Sequence, residues 1–171
     1  MVLRKQADET ERCRLYLNAK RFPEELDFPP GSIGSVLISR VFHFLRGEEI
    51  DSGLAKVYRW LAPGGKIFIV TSTPYQKNLV DFVPIYEERW GSGNPWPGHV
   101  ENYGVSATAL AYPNINSFLN VMDERPLRAA LERAGFEVET VRIIDRRMTI
   151  PMLSLDGREG IGVIAIKKFS P

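Results

Sequence analysis

With two histidines and one cysteine, this 171-residue sequence has few ways to do chemistry. His43 and His99 are far apart and Cys13 has no metal-ligand neighbours, so no zinc site is expected. Cys13 also stands alone, which excludes an intramolecular disulfide; it reads as a spectator thiol in a reducing compartment. His43 follows an apolar run, Val36-Leu37-Ile38 with Val41-Phe42, interrupted by Ser39 and Arg40. An imidazole titrates near neutral pH and can take a proton from a nucleophilic oxygen or nitrogen, which makes His43 the candidate catalytic residue. The alternative is a packing or helix-capping role. Ser39 and Arg40 end a strand, the position where ligands bind in open parallel sheets, or they simply begin a loop. His99 lies in a Pro- and Gly-rich loop and carries no assignment.

A second group is aromatic. Residues 72–122 hold Tyr75, Phe82, Tyr86, Trp90, Trp96, Tyr103, Tyr112 and Phe118 with weak periodicity and many Pro and Gly. A connection this long in a compact domain usually holds short helices and builds a lid or binding surface. Tyr75, in Thr73-Pro74-Tyr75, and Trp90 and Trp96 are candidate substrate-binding residues, with Tyr86 and Tyr112 as further lid candidates. Their faces can stack on a planar ligand, or the rings form a local cluster that holds the loop down.

The elements around these residues follow from pattern. Residues 3–12 favour helix, Arg14 to Leu17 alternate as a short strand, and the prolines between Pro23 and Ser32 demand an extended connection. Val36 to Phe42 suits a strand buried on both faces. From Glu48 to Leu61, Ile50, Leu54, Val57, Tyr58 and Leu61 fall at helical spacing, with Glu48 and Glu49 at the end that favours negative charge. Pro63-Gly64-Gly65 ends that helix, and Lys66 to Thr71 form a second buried parallel strand. Asp123 caps a helix with Leu127, Ala130, Leu131 and Ala134 on one face, and Gly135 stops it. Val138 to Ile144 and Gly162 to Ile166 read as strands, the last antiparallel after a turn at Asp156-Gly157.

The bulk properties narrow the partners. With 22 Lys+Arg against 21 Asp+Glu, no global field favours nucleic acid or an anionic membrane surface. The local patch of Arg142, Arg146 and Arg147 reads as a solvated face. No apolar run of about 18 residues exists, so no membrane-spanning helix is expected. The first ten residues lack the apolar core of a secretory signal, and a cytoplasmic protein is expected.

The segment Ile33 to Leu45, the turn Leu61-Ala62-Pro63-Gly64-Gly65, the helix ending Ala134-Gly135-Phe136 and the terminal hairpin together resemble a class I S-adenosylmethionine-dependent methyltransferase over about residues 12–168. In that family the sheet runs third, second, first, fourth, fifth, seventh, sixth, with the last strand antiparallel. The resemblance makes Val36 to Phe42 the fourth strand, Lys66 to Thr71 the fifth and Arg14 to Leu17 the third. It implies an α/β fold: a partial Rossmann-like sheet, mostly parallel, lacking the first two strands, with helices on both faces. The glycine-rich cofactor motif is expected to be missing, since Gly31 and Gly34 precede a strand instead of following one.

The same resemblance implies S-adenosylmethionine as cofactor, with Ser39 and Arg40 along its methionine portion and Asn18 and Ala19 near its adenine. It implies methyl transfer to a small-molecule acceptor in the intact form, impaired in this chain. A chain of this composition can also be a non-catalytic descendant, binding a partner or forming a homodimer through an exposed sheet edge. A dehydrogenase-like fragment fits less well, because the last strand is antiparallel.

Overall fold

The structure is a computed structural model and describes residues 16, 18–101, 118–148 and 151–169. The expected helix over 3–12 and strand at 14–17, with Cys13, Tyr103 and Tyr112, lie outside them; of that strand only Tyr16 is described, and it is exposed. The elements are β1 (Ile33–Ser39), α1 (Gly47–Trp60), β2 (Leu61–Ser72), α2 (Val83–Gly91), β3 (His99–Val100), β4 (Leu119–Asn120), α3 (Glu124–Arg133), β5 (Glu137–Ile144) and β6 (Gly160–Ile166). Short 3-10 turns cover Phe42–Phe44, Lys77–Phe82 and Pro151–Leu153.

Four strands form one sheet in the order β1-β2-β6-β5. β1 and β2 pair in parallel, and β6 runs antiparallel to both of its neighbours, so β1, β2 and β5 share one direction. This is the expected mixed sheet: three strands point one way and the last in sequence opposes them. The carboxyl ends of β1, β2 and β5 therefore meet the amino end of β6 along one edge, with Ser72 and Ile144 both opposite Gly160.

α1 forms because Ile50, Leu54, Val57 and Trp60 recur on one side, and each is buried. The Glu49 carboxylate accepts the Arg46 N–H at 2.7 Å and closes its first turn. At its other end, Lys167 Nζ donates to the carbonyls of Tyr58 and Leu61, both at 2.8 Å, satisfying groups the helix leaves open. α3 behaves as its sequence demands: Asp123 caps it by accepting the Arg125 N–H at 2.9 Å, and Gly135 leaves it at φ 95° while Phe136 N donates to Leu131 O at 3.0 Å.

Both helices lie on the face carrying Ile38 of β1, Ile67 and Ile69 of β2, and Ile161, Val163 and Ala165 of β6. Each isoleucine and valine among them contributes about 1.5–3 kcal/mol on burial. The opposite face presents Phe68, Val70, Ile164 and Ile166, half-buried, and Leu37, 67% exposed.

Two strands depart from simple pairing. The helix before β2 stops at Trp60, and Leu61 already pairs with Ile33 before Lys66 pairs with Ser35. Pro63-Gly64-Gly65 thus forms a bulge within β2, where Gly64 at φ 76° donates to Lys167 O at 2.8 Å. In β5 a register shift between Val138 and Thr140 turns Val138 and Val141 both toward the core.

The long connection after β2 returns to its starting point. Met122 N donates to Ser72 O at 3.0 Å, and β3 pairs antiparallel with β4. Gly98 is needed there, since a Cβ on it would stand 1.5 Å from Val121 O. α2 lies between, with Tyr86 fully buried.

Candidate functional site

The carboxyl edge of β1, β2 and β5 gathers most of the chemistry-bearing side chains. Ser39 is exposed at the end of β1. Arg40 follows with φ 63°, its N–H donating to Val70 O at 2.8 Å, which extends the β1–β2 ladder by one residue. The chain then enters the 3-10 turn that carries His43.

His43 is 5% exposed, with Nδ1 3.3 Å from Thr71 Oγ1 of β2 and its ring 4.2 Å from that of Phe44. Burial, and then the charges of Arg40 and Arg146, push its pKa down to about 4. At neutral pH the imidazole is neutral and a weak proton acceptor.

Beyond β2, the Thr73 hydroxyl donates to the Arg158 carbonyl and receives the Tyr75 N–H at 3.3 Å. The Tyr75 hydroxyl donates toward Asp123 Oδ2 and Glu87 Oε1, each at 3.2 Å. Burial and the Asp123 charge raise the Tyr75 phenol to about 12, so it remains a donor. Arg125 ties the group together, forked on Glu87 with two contacts of 2.8 Å and bonded to Asp123 Oδ2 at 2.6 Å. Hydrogen bonds to Glu87 and Asp123 raise the Arg125 pKa, and its guanidinium lies 5.6 Å from the Tyr86 ring centroid and 5.5 Å from that of Trp90.

Arg158 covers the other face of this group, 3.9 Å from the Tyr75 ring centroid. The next residue, Glu159, is 2% exposed, and its carboxylate accepts the N–H groups of Leu155, Gly157 and Arg146 at 2.8, 2.9 and 3.3 Å. Burial disfavours its charge, yet these donors hold the carboxyl below the usual range.

Tyr75 and Trp90 are thus brought to one network through Arg125. Trp96 lies elsewhere: its indole sits over Gly47, donates to Asp51 Oδ2 at 3.2 Å and receives the Arg133 guanidinium at 5.7 Å, joining the start of α1 to the end of α3. It also lines a cleft of about 790 Å³ with Arg46, Phe82, Arg89 and His99. His99 makes a 2.8 Å contact with Glu101. Asn18 and Ala19 are exposed and lie outside any helix or strand. Arg142 and Arg147 lie on the surface as expected, Arg147 paired with Asp145 at 2.6 Å, but Arg146 turns inward and is half-buried.

Thr71, Asp123, Glu87, Arg125 and Arg146 were not marked by sequence as one site. Each is joined to its partner by a sheet register or a helix cap, and no local motif announces that pairing. Among the described residues no group of three potential ligands could hold a metal ion, and no helix is long and apolar enough to cross a membrane.

A methyltransferase-domain family model matches residues 4–69. No curated protein matches the sequence. Among solved structures, the chain is similar to a SAM-dependent methyltransferase of Methanosarcina mazei, with TM-score 0.57 and 16% identity over 85% of this chain and 64% of that one. An S-adenosylmethionine-dependent methyltransferase of Mesorhizobium loti gives TM-score 0.53 and 18% identity over 82% and 65%. A Burkholderia thailandensis 1,6-didemethyltoxoflavin-N1-methyltransferase, solved with 1,6-didemethyltoxoflavin and S-adenosylhomocysteine, gives 0.53 and 14% over 85% and 48%. The chain thus spans under two thirds of the length of these structures. The likeness in structure is one of fold, and its sheet order corresponds to the fourth, fifth, seventh and sixth strands of that fold. A methyltransferase-domain model thus matches the first part of the chain, and the fold is that of S-adenosylmethionine-dependent methyltransferases.

Proposed function

We propose that the protein in its intact form transfers a methyl group from S-adenosylmethionine to a small-molecule acceptor, and that this chain carries the acceptor side of the site with a weakened hold on the cofactor. The observation that supports this most is the convergence of Ser39, Arg40, His43, Thr71 and Tyr75 on the carboxyl ends of two parallel strands, where open α/β sheets bind ligands. Ser39 offers an exposed hydroxyl, a donor that fits the amino-acid end of the cofactor, and the half-buried Arg40 beside it serves the acceptor. Asn18 and Ala19 would meet its adenine through a side-chain amide and backbone groups.

When bound, S-adenosylmethionine supplies a methyl group already activated by the positive sulfur, so alignment matters more than proton removal. Tyr75 and Trp90 form the acceptor face, while Trp96 walls the neighbouring cleft and fixes α1 to α3. His43, neutral and bonded to Thr71, holds the turn after β1 in place and orients the acceptor; it does not need to take a proton. The reading is tested by incubating the protein with isotopically labelled S-adenosylmethionine and small-molecule acceptors. Labelled product that falls at least about tenfold in Tyr75→Ala supports it, and absence of any labelled product counts against it.

A second reading, a scaffold that forms a homodimer, is favoured by β1. Its outer edge has no partner strand among the described residues. An apolar groove of about 310 Å³, lined by Phe22, Leu26, Phe28, Leu37, Val41 and Trp60, runs beside it. Unpaired edges of this kind pair with other strands unless charge or proline blunts them, and Ile33–Ser39 contains neither.

A further inference from the structure

Two guanidinium groups at the carboxyl edge, those of Arg40 and Arg146, have no carboxylate in salt-bridge contact among the described residues, although the charge of the buried Glu159, whose carboxylate is held by backbone N–H groups, acts on Arg146 from nearby. Arg40 takes a left-handed backbone conformation at φ 63°, which is strained for a non-glycine residue, and residues kept so are concentrated at ligand sites. Arg146 follows β5, and its Cδ lies 3.3 Å from where a Cβ on Gly160 would stand, so its side chain lies over the amino end of β6. Gly160 in turn pairs with Ser72 of β2, two residues beyond the Val70 that holds the Arg40 N–H. Both arginines are half-buried.

Nearby arginines are neutralised: Arg147 by Asp145 and Arg158 by Asp156, each at 2.6 Å, and Arg125 by Glu87 and Asp123. Among the described residues neither Arg40 nor Arg146 has a carboxylate in salt-bridge contact. Burial, then the charge of Arg146, pulls the Arg40 pKa down; burial does the same to Arg146 and outweighs the opposing charge of Glu159. Like charges held partly out of water are unfavourable until an anion joins them, and planar guanidinium forks match an oxyanion.

We propose that Arg40 and Arg146 form an oxyanion site, so that the acceptor methylated at this edge is an anionic small molecule held through a carboxylate or phosphate group. The identity of the acceptor rests on the methyl-transfer reading; the anion site itself does not.

The test uses the whole chain, benzoate and inorganic phosphate as probes, and the arginine Nε–H signals by NMR. The expected result is saturable shifts at Arg40 and Arg146 with a Kd of roughly 1 mM. Arg40→Gln and Arg146→Gln should each weaken binding at least about tenfold, Arg40→Lys should fall between, and exposed Arg142→Gln should bind as the parent does. If one glutamine variant fails to fold, the other and the parent signals still decide. No saturable shift, or parent-like binding in the glutamine variants, overturns the site.

S-adenosylhomocysteine then separates the sources. Its binding alongside benzoate supports an anionic acceptor. Its displacement of benzoate assigns the arginines to the amino-acid end of the cofactor and overturns the acceptor proposal. Its failure to bind a chain that still binds benzoate overturns the methyl-transfer reading and leaves the anion site standing.

Discussion

His43 Nδ1 lies 3.3 Å from Thr71 Oγ1, joining the turn after β1 to the carboxyl end of β2 across a gap of 28 residues. The contact is buried beside two arginines, which explains a pKa near 4 against an ordinary value of 6.5. Between these values the unfolded chain holds a proton on His43 that the folded chain does not. Its contribution is therefore complete above pH 6.5 and is lost as pH falls toward 4, by at most about 3 kcal/mol. Urea unfolding from pH 8 to 4.5, values chosen to span that window, should show a steeper decline for the parent than for His43→Gln. Parallel declines would mean that His43 titrates normally.

Asp123 serves two structures at once, capping α3 and holding Arg125 beside Tyr75. Asp123→Ala should cost about 2–4 kcal/mol, because it removes the cap and half of the anion set around a partly buried arginine. Asp123→Asn keeps the cap, and Arg125 keeps its fork on Glu87, so the loss should be about 1 kcal/mol. Equal losses by denaturant unfolding would show that the cap alone matters.

Gly98 and Gly91 should respond in opposite ways to alanine. A Cβ at Gly98 meets Val121 O at 1.5 Å, so Gly98→Ala should destabilise by more than about 2 kcal/mol and disturb the β3–β4 pair. A Cβ at Gly91 meets nothing within 4 Å, so Gly91→Ala at the end of α2 should be neutral or stabilising by up to about 1 kcal/mol. Thermal unfolding of the pair checks the contrast, and a neutral Gly98→Ala would contradict it.

The open edge of β1 makes a prediction about mass. If copies pair there, light scattering should give twice the 19.4 kDa chain mass, and Leu37→Glu, which charges a side chain 67% exposed, should return a single chain. A parent that scatters as one chain removes the homodimer reading.

Elements governed by local physics were legible in the sequence. α3 is the clearest case, since Asp123, the Leu127 to Leu131 face and Gly135 each act within a turn or two. The sheet order was legible only through family resemblance, because nothing local states which strand lies beside β6. The bulge at Pro63-Gly64-Gly65 read as a helix stop, since its strand character depends on Ile33 and Lys167. The site divides in the same way. Ser39, Arg40 and His43 stood out at a strand end, whereas Arg146 read as surface charge because its inward turn depends on Glu159 and Gly160. Tyr75, Trp90 and Trp96 looked alike in sequence, and only packing distinguishes the two beside Arg125 from the one clamped between α1 and α3.

The claim at the centre is that the strand end carrying Ser39 holds the cofactor. Isothermal titration of the folded chain with S-adenosylhomocysteine tests it most directly. One site per chain is expected, with a Kd of roughly 10–1000 μM that weakens in Ser39→Ala. No heat of binding from a folded chain at millimolar ligand would contradict the claim and favour a scaffold role for the same sheet.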